Sequence, residues 1–182
     1  MKKFFVLFCC FTAMIFIISC GGSESEESEK SEDCTTIDGN MWSTLSSDTM
    51  YWDDAVDYCR NLTECGYSDW RLPNINELRT LIKNCPGSQT DGSCTVKDSA
   101  CLSSSCWSGD CRCEYRENNG GYYSKLGDDD NVRLWSSSTE SDTDCAWYAW
   151  YVNFNSGGLG NVNWIFHEPY NILEDYNARC VR

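Results

Sequence analysis

The residues best equipped for chemistry in this chain are its cysteines. There are 14, and eleven fall after position 33: Cys34, Cys59, Cys65, Cys85, Cys94, Cys101, Cys106, Cys111, Cys113, Cys145 and Cys180. Cysteines at this density either hold metal or pair as disulfides. Structural zinc wants cysteines about two to four residues apart, twice over, or histidines. Cys111-Arg112-Cys113 with Cys106 is the nearest approach, and His167 is the one histidine. The spacing therefore favours disulfides, provided the chain is exported. Eleven is odd, which leaves one thiol free, intermolecular or otherwise modified.

A second cluster is Gly127-Asp128-Asp129-Asp130-Asn131. Asp128, Asp129 and Asp130 are hard oxygen donors that suit calcium, without the spacing of an EF-hand; a solvated acidic turn would look the same. A third group is aromatic. Trp147 and Tyr151, with Trp107, Tyr122 and Tyr123, offer flat faces that stack on sugars or anchor protein interfaces, unless a small β-rich domain buries them as core. Catalysis needs a nucleophile beside a base, or paired carboxylates. His167 is isolated and oxidised cysteines are poor nucleophiles, so a non-enzymatic protein is expected.

The elements that must position these groups are legible in outline. Residues 1–20 read as a lipoprotein signal peptide: Lys2 and Lys3 precede an apolar run from Phe4 to Ile18, too short to span a bilayer. Ile17-Ile18-Ser19-Cys20 resembles a bacterial lipobox, which implies lipid on Cys20, a membrane attachment, and an outer-membrane or cell-surface location. Residues 21–33 form an acidic stretch with nothing apolar to bury and read as a disordered tether. The folded domain is then 34–182, long enough for a real core.

Net charge is −14, and −16 once Lys2 and Lys3 leave with the signal. Such a chain repels nucleic acid and anionic surfaces at long range, so no nucleic-acid partner is expected.

Within the domain, Asp38-Gly39 bounds an opening strand over 40–45. A first helix carries Trp52, Ala55, Val56, Cys59 and Leu62 on one face, with Thr49 as its cap. Trp70-Arg71-Leu72-Pro73 then runs into a second helix. Asn74 caps it, Glu77 closes a capping box, and Ile75, Leu78, Leu81, Ile82 and Cys85 recur at helical spacing as far as Asn84. Arg71 is placed to pair with a carboxylate and fix this junction. From Pro86 to about Arg133 periodicity vanishes, and the stretch reads as a long loop, stapled rather than packed between Cys94 and Cys113. Strand character returns over 134–139 and 146–154. In the second of these Tyr148, Trp150, Val152 and Phe154 face one way, and Trp147, Tyr151 and Asn153 the other. A turn at Asn155-Ser156-Gly157-Gly158 leads to a return strand over 162–166, and 178–182 closes the chain.

This order, with Trp52-Asp53-Asp54-Ala55, Tyr58-Cys59, Gly66, Asp69-Trp70-Arg71-Leu72-Pro73, Glu77-Leu78, Leu81-Ile82, Trp135-Ser136-Ser137, Ala146-Trp147, Phe154 and Arg179-Cys180-Val181-Arg182, resembles the Lcl C-terminal domain family of bacterial extracytoplasmic modules. The resemblance implies an α+β, C-type-lectin-like fold: two helices packed on a twisted antiparallel sheet, with a long disulfide-rich loop. It also implies a disulfide between the first helix and the last strand, which here are the places of Cys59 and Cys180. That bridge would close a loop of about 120 residues, for which the chain-entropy relation gives roughly 4–5 kcal/mol. The sugar-binding triplets of calcium-dependent lectins are not matched by Glu168-Pro169-Tyr170 or Asn163-Trp164, so calcium is a possible ion and not an implied cofactor. The function this supports is a lipid-anchored binding or adhesion module for an extracellular protein or glycan. The alternatives are a structural envelope protein cross-linked through its odd cysteine, and an enzyme similar to the formylglycine-generating type, for which Cys145 and Cys180 lack a matching motif.

Overall fold

The computed structural model describes residues 34–117, 120–127, 132–140, 148–163 and 176–182. The chain divides into two units, Met1–Lys30 and Ser31–Arg182. The first unit lies outside the described residues, as do the expected signal peptide, the lipid-bearing Cys20 and the tether.

The second unit opens with a hairpin of β1 (Thr35–Ile37) and β2 (Asn40–Trp42), paired Thr35↔Trp42 through Ile37↔Asn40. Its two-residue turn is Asp38-Gly39, both at positive φ (50° and 87°), the Asp-Gly signature of a tight hairpin. The single opening strand expected over 40–45 is thus shorter, and it has a partner, β1, that was not expected.

Helix α1 spans Trp52–Asn61, buries Ala55 and Cys59, and starts after Tyr51 without a side-chain cap, so Thr49 does not serve that role. Helix α2 spans only Ile75–Thr80. Its capping box is present: the Glu77 N–H donates to Asn74 Oδ1 at 2.9 Å and the Asn74 N–H donates to Glu77 Oε2 at 2.8 Å. The expected continuation to Asn84 is overridden by long-range pairing. The Lys83 N–H donates to the Tyr123 carbonyl (2.9 Å), and the Lys125 N–H to that of Leu81 (2.8 Å). The apolar stripe survives the change, since Ile75, Leu78, Leu81, Ile82 and Cys85 are all buried.

A three-stranded antiparallel sheet follows, in the order β3 (Arg133–Thr139), β4 (Tyr148–Asn153), β5 (Gly158–Asn163). β5 starts four residues earlier than expected and pairs from Asn153↔Gly158 to Tyr148↔Asn163. β4 is the central strand and both its faces are used. Trp150 and Val152 enter the larger core with Ile75, Leu78 and Leu81, while Ala149 and Tyr151 belong to a smaller one with Cys59, Trp70 and Trp135.

The tail forms no regular strand; it stitches three regions together by isolated bridges. Arg182 and Met41 exchange two backbone hydrogen bonds of 3.1 Å, and Val181 exchanges two with Arg71 (3.0 and 2.9 Å). The Asn177 N–H donates to the Arg133 carbonyl at 3.0 Å. A disulfide joins Cys59 of α1 to Cys180 across 121 residues. The architecture is α+β with two small sheets, two helices and five disulfides among the described residues.

The loop after α2 departs most from expectation. Two single-turn 3₁₀ helices, Ser104–Cys106 and Gly109–Cys111, give it local order. Cys94, Val96, Cys106 and Cys111 are buried in the larger core with Trp42 and Leu134. The stretch is therefore packed as well as stapled.

Candidate functional site

Three disulfides in this loop are concentric: Cys85–Cys113 encloses Cys94–Cys111, which encloses Cys101–Cys106. They fold residues 85–113 into an outgoing and a returning arm. Arg79 of α2 anchors the outgoing arm from beneath. Its side chain is fully buried and donates to the carbonyls of Ser88 (2.8 Å), Val96 (2.6 Å), Gln89 (2.6 Å) and Cys94 (3.3 Å). Burial pulls this guanidinium below its ordinary pKa, with Asp91 acting the other way.

The returning arm lies along the outer side of β5 and the turn before it. The Arg116 and Cys113 N–H groups donate to the carbonyls of Asn155 (2.8 Å) and Ser156 (2.9 Å). The Trp107 indole N–H donates to the carbonyl of Leu159 at 2.7 Å. The Ser88 hydroxyl, from the outgoing arm, donates to Gly157. The loop thereby satisfies three carbonyls of the turn and one of the edge strand, that of Leu159, and covering an edge is one of the ways proteins blunt it.

Where arm and strand meet they leave a groove of about 290 Å³. Trp107, Arg112, Tyr151, Asn153, Ser156, Leu159 and Asn161 line it, together with Gly158 and Gly160. Both glycines are required by close approach. A Cβ at position 158 would stand 2.7 Å from the Arg112 Cβ, and one at 160 would stand 2.5 Å from the Tyr151 ring. Arg112 lies over the Trp107 ring at 5.4 Å from its centroid.

Two other cavities are larger, and most of their charged groups are paired, while the exposed Asp91 at the first and the Asn74 amide nitrogen at the second have no described hydrogen bond. One, of about 530 Å³ beside α2, is lined by Arg79 and by the Asp38–Lys125 ion pair (2.8 Å). The other, of about 420 Å³, lies against the Trp-Arg-Leu-Pro stretch. There Arg71 pairs with Glu77 (2.5 Å), Arg60 with Asp57 (2.6 Å), and Asp98 accepts from the Ser138 hydroxyl (2.7 Å). Burial opposes ionisation of Glu77, yet the Arg71 guanidinium and the Asn74 N–H outweigh it and hold its carboxyl below the ordinary range. In the 290 Å³ groove, by contrast, no carboxylate among the described residues reaches Arg112, and the Asn153 side-chain nitrogen donates to no described group.

The structure brings together two of the five expected aromatic residues, Trp107 (37% exposed) and Tyr151. Tyr122 is 40% exposed and does not line the groove; Arg116 lies over its ring at 4.4 Å. Tyr123 is a correction: it is 2% exposed, packs on Gly157 and donates its hydroxyl to the Glu114 carbonyl, so it is core and cannot meet a ligand. Trp147, Asp128, Asp129 and Asp130 lie outside the described residues, as do His167 and Cys145. Pairing of the other ten leaves Cys145 as the odd member of the eleven. The one cluster of potential metal ligands among the described residues is Cys34, Glu64 and Cys65, and its sulfurs are joined in a disulfide. Arg112, Asn153 and Arg79 were not expected. Arg112 had a signal: between two cysteines that turn inward, the intervening side chain is left facing out.

No curated protein and no solved structure matches the chain. No helix among the described residues is long and apolar enough to cross a membrane. Residues 32–182, which contain every described residue, match the Lcl C-terminal domain, and the chain belongs to that family of extracytoplasmic modules.

Proposed function

We propose that this protein is a lipid-anchored cell-surface binding module that recognises an extracellular protein or glycan in the groove between Trp107 and Tyr151. The observation that carries the reading is the groove's chemistry: an arginine and an amide nitrogen with no described hydrogen-bond partner, beside two aromatic rings. Exposed Trp, Tyr and Arg are the residues that most often concentrate binding energy. A C-type-lectin-like arrangement is consistent with two helices and a sheet closed by the Cys59–Cys180 clamp. The lipobox residues at Cys20 supply the anchor, and a chain of charge −14 disfavours nucleic acid. Among the described residues the groove assembles no nucleophile–base pair, so binding is favoured over catalysis.

A second reading rests on Cys145. Ten paired cysteines leave one that could join this chain covalently to an envelope partner, and a non-reducing gel of the cell fraction would reveal the adduct.

The test is a glycan and matrix-protein array probed with the full chain, with and without calcium, using wild type and Trp107→Ala side by side. A ligand bound by wild type and at least tenfold weaker with Trp107→Ala supports the groove. A ligand bound equally by both places recognition elsewhere.

A further inference from the structure

The faces of the two groove aromatics are largely taken. The Arg112 guanidinium covers Trp107, and the Tyr151 ring lies against Gly160 with the Tyr176 ring 4.6 Å away, centroid to centroid. Stacking of a ligand on either face is therefore secondary, and what the groove offers is polar. Asn153 Oδ1 already accepts from the Asn155 N–H at 2.9 Å, so its amide presents only its N–H₂. Asn161 donates to the buried Glu140 at 3.3 Å and keeps its oxygen. Arg112 brings five N–H donors, none in a described hydrogen bond. Donors outnumber acceptors in a space of about 290 Å³, with a fixed positive charge at its mouth. Paired N–H donors of an arginine match a carboxylate in a bidentate geometry.

Resting on the groove as the binding site, we infer that its ligand presents a single carboxylate to Arg112, with Asn153 as a further donor to the same group. A polyanion does not fit: a chain of charge −14 repels it at long range, and Arg112 is the groove's only cation among the described residues. One carboxylate on an otherwise neutral sugar or peptide is the match. The planar guanidinium held over an indole is pre-oriented, so less freedom is lost on binding.

The test uses the full chain, ¹⁵N-labelled, with the Trp107 indole N–H resonance as reporter, assigned by its loss in Trp107→Phe. Two probe pairs differ only in the acid: methyl glucuronoside against methyl glucoside, and N-acetylglutamate methylamide against N-acetylglutamine methylamide. The acid of at least one pair should move the resonance saturably while its neutral twin binds at least tenfold more weakly. Arg112→Gln should weaken the acid about ten- to hundredfold without changing the melting temperature, and Arg112→Lys should fall between. Which pair responds assigns the carboxylate to a sugar or to a peptide. Equal binding of acid and neutral twin, no binding of either acid, or indifference to Arg112→Gln overturns the inference. If a neutral probe or an array ligand still depends on Trp107, the groove stands and only the carboxylate falls; if neither does, both fall.

Discussion

Arg79 shows how much one side chain can organise. It carries a charge with no carboxylate in contact and spends four hydrogen bonds on the backbone of the outgoing arm. Replacing it with methionine keeps the length and strands the carbonyls of Ser88, Val96 and Cys94, while that of Gln89 keeps the Gly92 N–H; each stranded group costs about 1–3 kcal/mol, not additively. Arg79→Met is expected to lose roughly 3–5 kcal/mol in urea unfolding, measured without reductant; a loss within error of zero would mean the carbonyls find water. Nothing in the sequence marked Arg79, because a charged residue on a helical stripe reads as its solvated side. Glu77 was legible, since Asn74-x-x-Glu77 is a capping box by pattern alone. Its carboxyl is held below the ordinary value, so its stabilisation is present above about pH 4.3 and is lost as pH falls through the lower folded value. Glu77→Gln keeps the cap and loses the partly exposed ion pair, about 0.5–1 kcal/mol at pH 6. The stability gap from wild type should close as pH falls through that lowered value; a gap that stays constant throughout an acid titration of stability would assign the effect to packing.

At the scale of elements, bridges of different span should do different work. The chain-entropy relation gives about 5 kcal/mol for a loop the size of that closed by Cys59–Cys180 and about 2 for one the size of that closed by Cys101–Cys106. Removing the long clamp as Cys59→Ala with Cys180→Ala should therefore cost more stability, read as the denaturation midpoint. Removing the short bridge as Cys101→Ala with Cys106→Ala should cost more ligand affinity, because Trp107 follows Cys106 directly. The reverse ranking would contradict this division. Local signals carried α1, β3 and the Asp38-Gly39 boundary of β2, though not the hairpin that this turn makes with β1. They failed at α2, where Ile82 and Lys83 pair with a segment some forty residues away, and in the cysteine-rich arm. Neither alternation nor helical spacing reports that a disulfide has turned a polar stretch against a core. The groove lay beyond local reading for the same reason: Trp107, Arg112 and Tyr151 meet only because the arm covers β5. The Cys59–Cys180 pairing came from family resemblance rather than spacing, since many pairings of eleven cysteines are possible.

For the whole molecule, the tail crossing from β2 to Arg71 to β3 is what closes the fold, and the groove lies on the outer margin of its three-stranded sheet. An acidic body with one arginine-bearing groove selects for contact chemistry rather than long-range attraction. Anchoring is separable from this. Radiolabelled palmitate should enter the wild-type protein and not Cys20→Ala; equal labelling would remove the anchor and leave the groove untouched. The account stands most directly on where a ligand lands. Hydrogen exchange followed by mass spectrometry, on the full chain with and without the ligand selected by the array, reads this in one experiment. Slowed exchange confined to residues 107–113 and 153–161 is the expected result. Protection centred on the cavity beside Arg60 and Arg71, or on the one beside Asp38 and Lys125, with 107–113 unchanged, would contradict it.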